Sequence, residues 1–150
     1  MRKLVRKASL RDFEAVMSIT ADEIIYGGYD YLPGEFAGIM KRHGGFILEI
    51  DDRVVGFLGY VITERGRSFT PVGGRIRSDY QNRGLFKFLM DEMSKQLMEM
   101  HPSLVTRRMS IGKSNPHTSR VLKSQEIVYE ADYRTGAADE KIVDCLLSSG

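Results

Sequence analysis

Three observations predict an α/β fold with one mixed, mostly antiparallel sheet flanked by helices. Segments that read as strands and helices follow one another in the order β α α β β β α β α β. Two tight-turn signals, Asp51-Asp52-Arg53 and Glu64 to Arg67, join three successive β-rich runs into a meander. The strands after the meander are separated by helical segments, as crossover connections require. No repeat, low-complexity stretch or linker breaks the order, so residues 1–150 are expected to form a single domain.

Arg2 to Ala8 alternates weakly and predicts the first strand. Ser9 can cap the helix that follows, whose apolar residues Leu10, Phe13, Val16, Met17 and Ile24 recur at helical spacing. From Ile24 to Phe36, paired glycines, a Pro-Gly step and three tyrosines within six residues mark an irregular loop leading into a short helix from Pro33 to about Arg42. Phe46 to Ile50 and Val54 to Thr63 predict a hairpin. Ser68 to Arg77 predicts a third strand that holds Pro71 and Gly73-Gly74, residues which inside a strand point to an edge, a bulge or a close backbone approach. Gly84 to Met100 is the strongest helix: Leu85, Leu89, Met93, Leu97 and Met100 share one face, Lys87, Asp91, Lys95 and Glu99 lie mostly opposite, and His101-Pro102 ends it. Leu104 to Ile111 predicts a strand, Asn115 to about Lys123 a short helix with Pro116 in its first turn, Glu126 to Arg134 a last strand, and Ala138 to Leu147 a terminal helix.

Composition narrows the function classes. Hydrophobic residues at 42% and charged residues at 28% are ordinary globular values, and a chain of 150 residues can remove roughly 70% of its unfolded surface from water. The net charge of +2 gives no general basic surface for nucleic acid or membrane, so any anion must be held locally. Val54 to Ile62, the longest apolar run, is about half of what a membrane-spanning helix needs, and the N-terminus lacks a signal-type apolar core. Cys145 is the only cysteine and reads as a packed thiol, which fits a reducing, cytoplasmic setting. No HxxxH or CxxC spacing suggests a metal, and His43, His101 and His117 read as loop or helix-terminus residues.

The informative stretch is Arg75 to Leu97, RIRSDYQNRGLFKFLMDEMSKQL, in which a strand, a turn and a glycine open the long helix. Amides at a helix N-terminus have no intrahelical acceptor, and the helix dipole adds partial positive charge, so an anion, above all a phosphate, is the natural guest. Arg77, Arg83 and Lys87 can add charge beside it. Neither G-x-x-x-x-G-K-[ST] nor G-x-G-x-x-G is present, which removes the two familiar nucleotide loops.

Gln81-Asn82-Arg83-Gly84-Leu85-Phe86 resembles the [QR]-x-x-G-x-[GA] signature of the GNAT family of acetyl-CoA-dependent N-acetyltransferases, and the element order from Lys3 to about Tyr133 resembles that of the family. The resemblance implies a GNAT fold with splayed central strands and acetyl-CoA as cosubstrate without a metal. It implies acetyl transfer to a primary amine by direct attack in a ternary complex, and it allows a homodimer. Ile76, Arg77 and Ser78 would pair with pantetheine, Gln81, Asn82, Arg83, Gly84, Leu85 and Phe86 would cradle the pyrophosphate, and Asn115 would contact the pantetheine arm or cap its helix. Phe86 departs from the small residue of the signature, and its ring is expected to turn into the core. A bulge at Gly73-Gly74 would open the splay and free an N–H for the thioester oxygen, although a bulge can also do no more than bend a strand.

The family's acid, a tyrosine, is replaced by Leu122, which leaves Ser119, Ser124, Tyr129 or water. Its base, a carboxylate on the third strand of the meander, has no counterpart there, which leaves Glu64 or Glu49. Tyr26, Tyr29, Asp30 and Tyr31 fall in the loop that lines the family's acceptor pocket, where ring faces and a carboxylate suit a small amine. IYGGYDYLP and RHGGFILEIDDRVVGFLGY are further similar to the N-terminal half of animal histidine N-acetyltransferase-like proteins, so free histidine is one expected acceptor. A coenzyme A-binding regulatory module without turnover, or a protein acetyltransferase, is the alternative.

Overall fold

A computed structural model describes residues 1–19, 30–112, 127–135 and 138–147. Its seven-stranded sheet contains β1 (Lys3–Lys7), β2 (Gly44–Ile50), β3 (Arg53–Thr63), β4 (Ser68–Ile76), β5 (Thr106–Gly112), β6 (Ile127–Thr135) and β7 (Ala138–Leu146), in the spatial order β1-β2-β3-β4-β5-β7-β6. Every neighbouring pair is antiparallel except β4 with β5. The helices are α1 (Phe13–Met17), α2 (Leu32–Arg42) and α3 (Leu85–Met100), the last lying between β4 and β5 in the chain.

The meander forms where expected, and its turns explain the register. Asp51 and Asp52 take positive φ of 48° and 66°, the backbone of a two-residue hairpin turn whose twist matches the strands and which short polar side chains tolerate. Ile50 therefore pairs with Arg53. The second turn runs through Glu64, Arg65 and Gly66, all at positive φ, and sets Thr63 opposite Ser68.

Alternation along the strands gives the sheet two apolar faces. Phe46, Leu48, Leu58 and Phe69 pack with Leu85, Leu89, Met93 and Leu97 of α3, each buried side chain contributing roughly 2 kcal/mol. Ile47 and Phe57 point the other way, against Val16, Leu32, Phe36 and Ile39 of α1 and α2. Leu10 and Met100, which helical spacing places on apolar faces, are exposed. Leu10 lies in a 3-10 turn ahead of α1, and Met100 is the last residue of α3. At the entry to α1, Asp12 accepts the Ser9 N–H at 2.8 Å and two bonds from Arg6. The Arg6 hydrogen bonds hold the Asp12 carboxyl below its usual range.

The predicted terminal helix is instead a strand. β7 pairs with β5 from Thr106↔Leu146 to Gly112↔Glu140 and with β6 from Ile127↔Cys145 to Thr135↔Ala138. Two ladder edges outweigh the segment's modest helix preference, because an interior strand satisfies its backbone on both sides and buries alternate residues. Cys145 is thereby fully buried. The predicted helix from Asn115 to Lys123, and Ile24 of the first helix, lie outside the described residues.

Candidate functional site

The site begins where β4 and β5 part. They pair only at Ser68↔Thr106 and Phe69↔Arg107, and Pro71, two residues further on, has no N–H to continue a ladder. The bulge expected at Gly73-Gly74 is present: Phe57 pairs with Arg75 but Gly59 with Val72, so Leu58 alone faces both glycines. Each glycine is needed. Gly73 has φ +63°, and a Cβ there would meet Leu32 Cδ1 at 2.8 Å; one on Gly74 would meet the Phe86 ring at 2.7 Å. The direction of the amides follows from the pleat. The Arg77 N–H donates to Val55 O at 2.8 Å, toward β3, so the amides of Ile76 and Gly74 point to the opposite edge, into the gap beside β5.

The gap leads to the start of α3. A 3-10 turn, Ser78–Tyr80, is followed by Asn82 at φ 62° and Gly84 at φ 73°, the left-handed residue that opens the helix. The Gly84 carbonyl accepts the Phe88 N–H at 3.0 Å, leaving the N–H groups of Leu85, Phe86 and Lys87 without an intrahelical acceptor. A Cβ on Gly84 would meet nothing within 4 Å, so the cradle is open to a visitor. Gln81 Nε2 donates to Ile76 O at 3.0 Å and ties the loop to the strand.

No family model matches the chain, and no curated protein does. Solved structures do. The ribosomal-protein-S18-alanine N-acetyltransferase from Escherichia coli is similar over 97% of this chain and 93% of its own, with 16% identity and a TM-score of 0.73. The PaiA N-acetyltransferase from Thermoplasma acidophilum in complex with coenzyme A matches 98% of this chain and 100% of its own at 14% identity and TM-score 0.76. An acetyltransferase of the GNAT family from Staphylococcus aureus Mu50 matches 98% and 100% at 8% identity and TM-score 0.77. This chain has the GNAT fold.

Within the GNAT fold, Ile76 lies at the end of β4, Ser78 in the 3-10 turn that follows, and Gln81 to Phe86 at the start of α3. The Arg77 amide is spent on Val55 and cannot pair with pantetheine; the strand's alternation gives that orientation to Ile76 and Gly74 instead. The side chains meant to add charge are partly committed. Arg83 donates to Asp79 O at 3.1 Å and lies over the Tyr80 ring, and Lys87 bonds Asp91 at 2.6 Å. Arg77 Nε is buried without a hydrogen bond, 3.4 Å from Asp79 Oδ1. Phe86 turns its ring inward over Gly74 and Leu58, as expected, so the bulky residue in the signature and the bare backbone opposite it fit together.

Of the acid and base candidates, the described ones, Glu49, Glu64 and Tyr129, lie on elements away from the opening. Glu49 lies on β2, two strands from β4 or roughly 10 Å, and bonds Arg6 at 2.8 Å. Glu64 is in the turn before β4, paired with Arg108 at 2.8 Å, and Arg108 also forks onto Asp144 through two bonds of 2.8 Å. Tyr129 is on β6 in register with Asp144, level with the paired end of β4 and β5 and separated from β5 by β7. A cavity of about 520 Å³ lies at this paired end, lined by Glu64, Arg65, Arg67, Val105, Thr106 and Asp144, away from the bulge. His43 Nδ1 accepts the Ile62 N–H, His101 ends α3, and no group of three metal-ligating side chains occurs among the described residues. Tyr26, Tyr29, Asn115, His117, Ser119, Leu122 and Ser124 lie outside the described residues.

Asp30 and Tyr31 do reach the bulge, but not as open acceptor ligands. Asp30 is forked onto Arg75, and the Gly73 N–H released by the bulge donates to Tyr31 Oη at 3.0 Å. The bulge N–H that the sequence leaves for a thioester oxygen is therefore taken at Gly73. Arg75, which sequence reasoning passed over, is the residue that organises this side. Its signal was a charged residue in the VGGRIR strand at a position facing the same way as Phe57.

Proposed function

We propose that the chain is an N-acetyltransferase that moves an acetyl group from acetyl-CoA to a primary amine by direct attack. The observation that carries this reading is the opening itself: a bulged β4 that leaves β5 after two residue pairs, with amides aimed into the gap and the amides of a glycine-opened helix start at its mouth. Coenzyme A fits these groups, since a diphosphate suits the N–H groups of Leu85, Phe86 and Lys87 and a helix dipole. Acetyl-CoA, when bound, supplies an acetyl thioester. The Gly74 N–H, the bulge amide that faces the gap, is assigned to its oxygen, a role commonly worth a few kcal/mol. Ile76 offers its backbone to the pantetheine arm.

A covalent route through Cys145 has no support, because burial pushes that thiol up and the residue is enclosed. Each carboxylate assigned as a base is ion-paired, so the neutral amine comes from the acceptor's own equilibrium with water. For an α-amino acceptor kcat/KM therefore rises with pH up to about 8, the usual pKa of that group. A plateau starting near pH 5 or 6 would instead reveal an enzyme base.

We assign a small-molecule or free amino-acid acceptor, with histidine among those tested because two segments resemble histidine N-acetyltransferase-like proteins. Coenzyme A release with a panel of free amino acids, polyamines and N-terminal peptides tests this; faster turnover of peptides would overturn the acceptor class. The ion-pairing of Glu49 and Glu64 favours one rival, a module that binds acyl-CoA without turnover. Steady consumption of acetyl-CoA with any amine removes that rival.

A further inference from the structure

The bulge passes both peptide groups of Gly73 to side chains outside the ladder. Its N–H donates to Tyr31 Oη at 3.0 Å, and its carbonyl accepts Arg75 Nε at 3.2 Å. The same guanidinium, 1% exposed, donates to Asp30 through Nη2 at 2.9 Å and Nη1 at 3.2 Å, and to Ile19 O at 3.2 Å. Asp30 Oδ1 also accepts the N–H of Leu32, the first residue of α2. Gly73, Arg75, Asp30 and Tyr31 thus close a ring that joins the bulge to the start of α2, with a branch to Ile19 just beyond α1.

A buried ion pair contributes little net stability compared with an apolar replacement, and what such a pair can supply is a fixed arrangement. Here the arrangement fixed is that of a bulge, the one part of β4 whose backbone the ladder does not hold. We propose that Arg75 is a positioning residue: its ring with Asp30 and Tyr31 locks the bulge open and thereby aims the neighbouring Gly74 amide across the gap. The proposal rests on the reading of the gap as the acetyl-CoA site. Its specific consequence is that the ring lets the protein distinguish acetyl-CoA from coenzyme A, because only the former has an oxygen for Gly74. Binding of the shared pyrophosphate depends on α3, outside the ring.

Calorimetric titration with coenzyme A and with acetyl-CoA tests this in the wild type, Arg75→Lys and Asp30→Asn. Lys cannot fork onto Asp30 while also reaching Gly73 and Ile19, and Asn keeps the shape of Asp30 without its charge. The wild type is expected to bind acetyl-CoA roughly fivefold tighter than coenzyme A, the value of one hydrogen bond. Both variants lose that preference and keep their coenzyme A affinity. Amide exchange at Gly73, measured without any ligand, reads the ring independently and accelerates in both variants while the amides of Phe46 to Ile50 stay unchanged. Should Arg75→Lys fail to fold, Asp30→Asn carries both measurements. A retained preference for acetyl-CoA with unchanged Gly73 exchange overturns the proposal. A wild type that binds neither thioester nor thiol overturns the acetyltransferase reading, and Gly73 exchange alone then judges whether the ring holds the bulge.

Discussion

The two ends of the β4–β5 pair are built on opposite principles. At the paired end, Arg108 is shared between Glu64 and Asp144 through direct ion pairs, and the strands are hydrogen-bonded. At the open end, the groups that face the gap are backbone amides: Gly74 and Ile76 on the strand, then Leu85, Phe86 and Lys87 at the helix start. Side chains there serve the backbone, with Arg75 and Tyr31 holding Gly73 and Gln81 holding Ile76. A site made of main-chain donors depends on conformation more than on residue identity, whereas a knot of ion pairs depends on identity alone. Substitutions at the open end should therefore act through shape, and those at the paired end should leave ligand binding untouched.

The largest effect is expected for Arg75→Met. It leaves the Asp30 carboxylate uncompensated beside an apolar side chain, and breaking a buried pair in this way costs about 3–5 kcal/mol. Urea unfolding should show the loss, and a change below about 1 kcal/mol would mean that the pair holds nothing together. Next is Gly74→Ala, whose Cβ would enter the Phe86 ring and Leu58. Overpacking of this kind costs about 1–3 kcal/mol. Adding Phe86→Leu should restore part of it, and a strictly additive double-mutant cycle would show that the ring does not press on the glycine.

Gly84→Val comes third for stability and first for ligand binding. The residue sits at φ 73° with open space where a Cβ would project, so the protein itself loses only about 1–2 kcal/mol from left-handed strain. Coenzyme A, however, would meet the isopropyl group where its pyrophosphate enters, and calorimetry should find binding abolished; retained affinity would remove the phosphate reading. The smallest effect is Glu64→Gln at the paired end. This half-exposed pair is worth less than about 1 kcal/mol, and coenzyme A affinity and turnover should stay within about twofold of wild type. A large fall in turnover would restore Glu64 as a base and undo the contrast between the two ends.

The same contrast explains what the sequence disclosed. The meander, the bulge and the helix start were legible because glycine, proline and paired aspartates mark backbone conformations directly: Asp51-Asp52, Gly73-Gly74 and Gly84 each force one local geometry. The inward turn of Phe86 followed from its place in the pattern. The ion pairs were not legible, since Glu49 finding Arg6 or Asp30 finding Arg75 depends on which strands become neighbours and on which face each side chain emerges. The C-terminal strand was missed for a related reason. Ala138 to Leu147 has no strong period of its own, and it becomes a strand because β5 and β6 each offer it an edge.

That insertion also sets an order of assembly. β6 precedes β7 in the chain, but among the described residues it is hydrogen-bonded into the sheet only through β7, so its ladder waits until β7 has been synthesised and has found β5. During translation β5 therefore exposes a bare edge, the kind of surface that recruits strands from other chains, and contacts of long sequence separation close late.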